Sequence, residues 1–492
     1  MNIDRNSPDA PQFRLLTDEK IRAIHDGAMT VLEEVGIEVA HEGARQMLLA
    51  AGGTVEEEIL VKIPRDLVDR ALTTAPGTFG LYDRNGRETI KLGAGMTYYG
   101  AGVTNLAYMD IDGDRHDFTL EDIGKVAHLA DALPNIDFVA TPGVIKPSPE
   151  HRVELVDQLA FIRLVSNTTM PLVILTPDAY QMKDILEMAD LVAGGRDALR
   201  ERPFMMPYLN PVSPLVFNPA TVDKLFLAAD RGVPVCVQAA PPLGGSAPST
   251  VAAGLVICAA ESLMGLVLSQ VRNPGTPFVT GIVPFVMDMR SGNTATTSPE
   301  VLLMIIAMGE LARSWSIPSL SSGSGSDSKV PDEQAGFEVS YHSQAVMLGG
   351  VDMSFSAGRL ECGLLHSPEV MVFADEAIGM HRRFAQGLKV DEATLALDVI
   401  EEVGPGGFFL GHQHTRDHFR GMWEPTLTSW EPRDVWESRG STTMLERARE
   451  KVARLRQEHV VEPLPQDLLS AMQAVVDRRA ALLPDDDQPS SS

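Results

Sequence analysis

The sequence predicts an α/β protein: a (β/α)₈ TIM-like barrel with a helical N-terminal extension and C-terminal helices. Eight short apolar runs carry that expectation, namely Phe138–Ala140, Leu172–Leu175, Phe204–Tyr208, Val233–Val237, Phe278–Gly281, Ile317–Leu320, Gly350–Phe355 and Val370–Phe373. Helix-length stretches separate most of them: Glu150–Val165, Ala179–Val192, Pro219–Arg231, Ser249–Val271, Pro299–Trp315 and Glu333–Leu348. Strands alternating with helices make a parallel sheet, and eight such units close into a barrel. A doubly wound open sheet is the alternative, disfavoured because no G-x-G-x-x-G follows a first strand. One interval is short. Only Ser356–Glu369 separates the last two runs, so either the final unit is degenerate or one strand is misplaced.

In chain order, residues 1–12 and 484–492 are rich in Pro, Asp and Ser and read as disordered tails. Residues 13–116 read as an extension. Ile21, Ile24, Ala28, Val31, Leu32 and Val35 recur at helical spacing until Gly36, and further helices are expected over Gly43–Ala51 and Arg65–Leu72. From Gly77 to His116 the pattern alternates, with turn signals at Asp83–Gly86 and Asp110–Gly113, and hairpins are expected. The barrel is placed over 117–430 and C-terminal helices over 431–483. Thr443 and Glu446 there fit a capping box, and Asp467–Ala480 continues as helix.

Composition narrows the function classes. The 492 residues are 44% hydrophobic, enough for a large core, and the net charge is −26. Such acidity disfavours nucleic acid and anionic membrane as partners. Cys236, Cys258 and Cys362 have no CxxC spacing, which fits reduced thiols and a cytoplasmic protein. The N-terminus has no apolar segment of the secretory kind. Val251–Val271 is apolar but interrupted by Glu261, Ser262, Ser269 and Gln270, which suits a buried helix better than a membrane span.

Two motif-like stretches fail on inspection. Asp110-Ile-Asp112-Gly113-Asp114 opens like a calcium loop, but Thr119 stands where the closing Glu belongs. Ser321–Gly325 lacks the Lys-Ser/Thr ending of a phosphate loop. The stretch that follows is more telling. A Gly/Ser-rich strand-to-helix loop delivers Asp327, Lys329, Asp332, Glu333 and Gln334, which is how barrels display their chemistry.

That loop, GSDSKVPDEQAG, resembles the diagnostic stretch of the trimethylamine:corrinoid methyltransferase family, whose archaeal members carry pyrrolysine nearby. The resemblance spans nearly the whole chain. It runs through LTDEKIRAIHDGAMTVLEEVGIEV, IPRDLVDRAL, Asp288–Glu300, Ser356–Glu376, GPGGFFLGHQHT (Gly404–Thr415) and WESRGSTTMLERA (Trp436–Ala448). Here the loop is built of ordinary residues, so the chain resembles the non-pyrrolysine branch, the glycine betaine:corrinoid methyltransferases. The resemblance implies methyl transfer from a quaternary amine to the Co(I) corrinoid of a separate protein, with no permanently bound cofactor, and self-association. A quaternary ammonium expels a neutral amine, so a pocket that orients it and excludes water suffices without an acid or base.

Candidate residues follow from that chemistry. A trimethylammonium group favours aromatic faces, each worth about 0.5–2 kcal/mol. Phe355 heads the candidates, followed by Tyr98, Tyr99 and Tyr208, with ordinary core packing as the competing role for each. Asn210 and Gln238 stand at strand ends where they can hold a carboxylate, and Glu361 either opposes the ammonium or pairs with Arg359 or another base. Asp327, Lys329 and Gln334 are loop candidates for contact with corrinoid or substrate, while Asp332 and Glu333 suit a helix N-terminus. His412, His414 and His418 have the look of a metal triad, although demethylating a quaternary amine needs no metal. The alternatives are a trimethylamine-type or zinc-dependent methyltransferase, and a betaine-binding protein without catalysis.

Overall fold

The structure, a computed structural model, describes residues 10, 11, 13–146 and 152–483. The expected tail at 484–492, most of the tail at 1–12, and the start of the helix expected at Glu150 lie outside the described residues. Ala10, inside the expected tail, is buried.

Eight parallel strands close a barrel: β1 (Tyr98–Ala101), β2 (Phe138–Ala140), β3 (Leu172–Ile174), β4 (Met205–Leu209), β5 (Val235–Ala239), β6 (Phe278–Ile282), β7 (Ser319–Ser322) and β8 (Met353–Ala357). Each is followed by a wall helix: α1 (Leu120–Ala132), α2 (Val156–Asn167), α3 (Ala179–Ala193), α4 (Pro219–Arg231), α5 (Val251–Arg272), α6 (Pro299–Ser314), α7 (Glu333–Gly349) and α8 (Pro368–Ala385). The barrel closes where Met353 and Ser354 of β8 register with Tyr98 and Tyr99 of β1.

Seven expected strands are present, displaced by at most three residues at either end. The eighth is corrected. Val370–Phe373 lies inside α8, where Ser367 caps the Val370 amide and Pro368 takes the first turn. The run is buried on all sides, and an apolar stretch of that kind has the same sequence signature in a helix as in a strand. The missing strand is β1, within the stretch 13–116, so the barrel draws on residues upstream of 117. Its GAGMTYYGAG surroundings look like a turn. Gly100 is required there because a Cβ would meet the Phe138 ring at 2.3 Å.

The hairpin expected around Asp83–Gly86 pairs Phe79–Tyr82 with Glu88–Leu92. Its buried Leu81, Ile90 and Leu92 join Tyr98, Phe138, Val173, Met206, Val279, Leu320 and Met353 in one apolar cluster. The Tyr82 amide donates to Pro203 O, Arg84 N to Thr169 O and Gly93 N to the Asp352 carboxylate, all just before strands. The hairpin therefore plugs the N-terminal end of the barrel and leaves the other end open.

The N-terminal helices Asp18–Thr30, Glu42–Ala50 and Arg65–Thr74 pack with α5 in a second apolar cluster. Val31–Val35 continues the first as a π-helical turn that ends at Gly36, φ 88°. α5 is long and apolar enough to cross a membrane by length and composition, but 72% of its apolar window is buried within this protein. Thr443 and Glu446 form the expected capping box of the helix Met444–Glu458, and Gln466–Ala480 follows it.

The second expected hairpin pairs Ala107–Met109 with Arg115–Asp117, and Asp110 closes its turn by accepting from the Asp112 and Asp114 amides. Thr119 is the N-cap of α1. Beneath this hairpin the buried His366 ring stacks on Tyr108 at 5.8 Å, and neither ring nitrogen has a hydrogen-bond partner. Burial, then Arg456, lowers its pKa to about 3. Below pH 6.5 the unfolded chain therefore binds a proton that the folded chain refuses, so stability falls as pH drops. His366→Phe keeps the ring and removes the proton site. Urea titrations should show the wild type losing about 2–3 kcal/mol more than the variant between pH 6.5 and 4.5; parallel profiles would refute this account of His366.

Candidate active site

A cavity of about 230 Å³ opens at the C-terminal ends of the strands, where barrel enzymes place their chemistry. A larger groove, about 440 Å³ and lined by Lys125, His128, Arg163 and Arg456, lies between helices on the outside. Leu175, Tyr208, Val283, Phe285 and Phe355 give the mouth cavity its apolar walls, while Thr104, Asn210, Arg359 and Cys362 add polar atoms.

The aromatic pair comes from opposite sides of the barrel. Tyr208 near the end of β4 and Phe355 in β8 both point inward and meet edge-to-face at 5.9 Å and 74°. Burial pushes the Tyr208 phenol well above its ordinary range, so it stays neutral. Phe285, in the loop after β6, adds a third ring. Asn210 Nδ2 donates to Gln238 O at 2.8 Å and to the Tyr208 hydroxyl at 3.3 Å, which fixes the side chain at the rim. Gln238 is fully buried below. Its Nε2 donates to Leu320 O at 2.5 Å, and its Oε1 is without a protein partner.

Arg359 is the charge at this site. It is buried, its Nη2 donates to Thr296 Oγ1 at 2.8 Å, and its Nε has no protein partner. Burial lowers its pKa, and the Asp327 carboxylate opposes that shift. Asp327 accepts from the Thr296 amide at 2.7 Å and hydroxyl, and from the Thr297 amide at 3.2 Å and hydroxyl at 3.0 Å. Burial disfavours its charge, but Arg359 and these donors outweigh burial and hold the carboxyl below its ordinary range. The Thr296 hydroxyl thus links the two charges. The loop can approach so closely because residue 325 is glycine: a Cβ there would sit 2.4 Å from Arg359 Nε.

Tyr208, Asn210, Phe355 and, one layer down, Gln238 thus come together as expected. The other candidates do not join them. Tyr98 faces the plugged end, where its hydroxyl accepts from Lys91 N at 3.0 Å. Tyr99 points out of the barrel and donates to Ser343 O at 2.9 Å. Strand alternation sends the two rings in opposite directions, neither toward the mouth. Glu361 pairs with Arg115 at 3.2 Å, not with Arg359. Asp327 orders the loop, with Lys329 Nζ on its carbonyl at 2.8 Å, and Gln334 is exposed and donates to Glu338 at 3.0 Å. Asp332 caps α7 by accepting from Ala335 N. His412 Nδ1 accepts from His414 N, and His418 Nδ1 lies 2.8 Å from His414 O, on a segment that leaves from the plugged end.

Arg359, Phe285 and Thr296 were missed. Arg359 stands two residues past β8, a position that carries the signal once that strand is correctly the last one. Phe285 and Thr296 sit in a loop with no periodicity of its own.

The profile of the family described as trimethylamine methyltransferase (MTTB) matches residues 3–484. The chain belongs to that family. It is a methyltransferase. Among its relatives, the glycine betaine methyltransferase of Desulfitobacterium hafniense (strain Y51) is 31% identical, covering 95% of this chain and 98% of that protein. A trimethylamine methyltransferase of Methanosarcina acetivorans is 32% identical, covering 96% of each. The crystal structure of the Methanosarcina barkeri monomethylamine methyltransferase shares the fold, with a TM-score of 0.52 at 12% identity, covering 92% of this chain and 90% of that one.

In this trimethylamine methyltransferase family member, Asp327 is the group that makes a buried Arg359 tolerable. Asp327→Asn keeps the shape and removes the charge. Stability to urea should fall by about 2–4 kcal/mol, with faster amide hydrogen exchange over 321–333. An unchanged midpoint would show that the threonine links alone hold the loop.

Proposed function

We propose that this methyltransferase takes a methyl group from a carboxylate-bearing quaternary amine, glycine betaine or a related betaine, and passes it to the Co(I) corrinoid of a separate protein. One observation carries the reading: three aromatic rings and a buried arginine bound the same small cavity. The rings of Tyr208, Phe285 and Phe355 suit a quaternary ammonium, which offers no hydrogen-bond donor and is attracted to aromatic faces. Arg359 and Asn210 suit a carboxylate at the other end.

The arginine also discriminates. Asp327 offsets much of the Arg359 charge, so a cation without a carboxylate meets a repulsion well below the about 3 kcal/mol of an uncompensated pair about 6 Å apart at an effective dielectric of 20. A betaine places its own carboxylate between the two. That disfavours trimethylammonium-type substrates and supports the zwitterion, in keeping with the glycine betaine relative.

The residues' work is to hold and orient. The rings fix the ammonium so that one methyl faces the open mouth, and the apolar wall keeps water from the reacting carbon. The C–N bond breaks with its electron pair on nitrogen, and the amine leaves neutral, so no proton donor is needed. The cavity is far smaller than a corrinoid ring, which supports a cofactor presented at the mouth by its own protein. When presented, the reduced corrinoid supplies the nucleophile for the methyl group. The three unbridged cysteines support a cytoplasmic setting.

Isothermal titration with glycine betaine, proline betaine, carnitine, choline and trimethylamine, paired with methyl transfer to reduced cobalamin followed by absorbance, tests the proposal. Betaines should bind and be demethylated. Arg359→Met should weaken betaine binding about 10–100-fold and leave choline unaffected or improved. Demethylation of trimethylamine alone would sink the proposal, and betaine binding without turnover would mark a binding protein.

A further inference from the structure

The groove of about 440 Å³ on the outside of the barrel shares no lining residue with the mouth cavity. Three helices wall it. α1 brings Lys125 and His128, α2 brings Arg163, and the helix Met444–Glu458 brings Arg456. Glu121 is the one carboxylate among the lining residues, and it is tied to Lys125 at 2.9 Å. Lys125 also meets the buried Asp122 at 3.1 Å, so its charge is answered. The two arginines are different.

In a chain with a net charge of −26 a basic side chain rarely lacks a carboxylate, and the helix Met444–Glu458 illustrates this. Arg449 pairs with Glu369 at 3.2 Å, Lys451 with Asp375 at 3.0 Å and Arg454 with Glu458 at 3.4 Å. Arg447 donates to the Leu427 and Thr442 carbonyls. Arg456 is the exception. Its Nη2 donates to the Tyr108 hydroxyl at 2.6 Å, its Nε is buried without a partner, and Nη1 is left for the groove. Burial pushes the Tyr108 phenol up to about 12, so it stays neutral and offers Arg456 no counter-charge. Arg163 is exposed on α2, and its guanidinium has no hydrogen bond or ion pair among the described residues.

We propose that this groove binds a small organic phosphate, its phosphoryl group held between Arg163 and Arg456. Two guanidinium groups without counter-ions match the two negative charges of a phosphoryl group, and their forked donors suit its oxygens. The cations approach from three helices, which fits the tetrahedral spread of phosphoryl oxygens better than a flat carboxylate. The groove is roomier than a bare phosphate needs and falls in the range of about 300–1,000 Å³ usual for small-molecule sites. Leu120 gives the remainder of the ligand an apolar contact. The occupant is not the methyl donor, because the mouth cavity lies elsewhere. The inference does not depend on which amine is demethylated.

Isothermal titration of the full chain in phosphate-free buffer with glycerol phosphate, adenosine monophosphate, inorganic phosphate and citrate tests the groove. The two esters should bind with dissociation constants of about 1 mM or tighter, ahead of both inorganic phosphate and citrate. Binding should slow amide hydrogen exchange over 120–128 and 452–459. Arg456→Gln should weaken ester binding about 10-fold or more, with circular dichroism checking that the fold is kept. Arg163→Gln, at an exposed position that does not bear on folding, should do the same, and Arg163→Lys should restore part of the affinity. No ester binding up to about 10 mM, equal or tighter binding of citrate or of inorganic phosphate, or ester affinity unchanged in both glutamine variants would each overturn the proposal.

Discussion

The pairing of β8 with β1 is the contact on which the site depends. β8 supplies Phe355 and leads into Arg359, and its place is set by β7 on one side and β1 on the other. An eight-stranded parallel barrel brings β4 and β8 to opposite sides of a narrow interior, which is why Tyr208 and Phe355 reach one another. Asp352, just before β8, strengthens the closure. Its carboxylate accepts from the Gly93 and Ser319 amides and so joins the plugging hairpin to β7. The plugged end and the open end are thus set by the same strand.

Electrostatics give the open end its character. The chain is strongly acidic, yet the charge buried at the mouth is an arginine. Keeping a guanidinium in an apolar site is costly unless its donors and its charge are both answered. Thr296 answers one donor and Asp327 answers the charge, while Nε is left without a protein partner. Aromatic rings stand beside that buried donor at the same cavity. The Ser321–Glu338 loop supports this site more than it forms it. Its most suggestive residues mostly bond to one another, Ser326 and the Asp327 amide to Glu338, and Ser328 to Asp332.

The two ends of the molecule divide the work. The mouth is a shallow cavity with polar atoms at its rim, a surface on which another molecule can arrive and leave. The other end is closed by the hairpin of Phe79–Tyr82 and Glu88–Leu92, and the chain leaves there after α8.

Periodicity alone determined the barrel, most of its strands, the wall helices and the capped C-terminal helix, because each repeats a local physical preference that a short window displays. The aromatic residues at two strand ends were legible for the same reason, since strand position and residue type together pointed at Tyr208 and Phe355. Tertiary structure decided the rest. Val370–Phe373 is helix and Tyr98–Ala101, in a stretch expected to form hairpins, supplies the eighth strand, because an apolar run buried on all sides carries the same signature in a helix as in a strand and only closure shows which run completes the barrel. Tyr98 and Tyr99 left the site because facing follows from the register of β1 against β8 and β2, not from the side chain. Arg359, Thr296 and Asp327 are far apart in the chain, and what makes them one unit is a distance that no local pattern records.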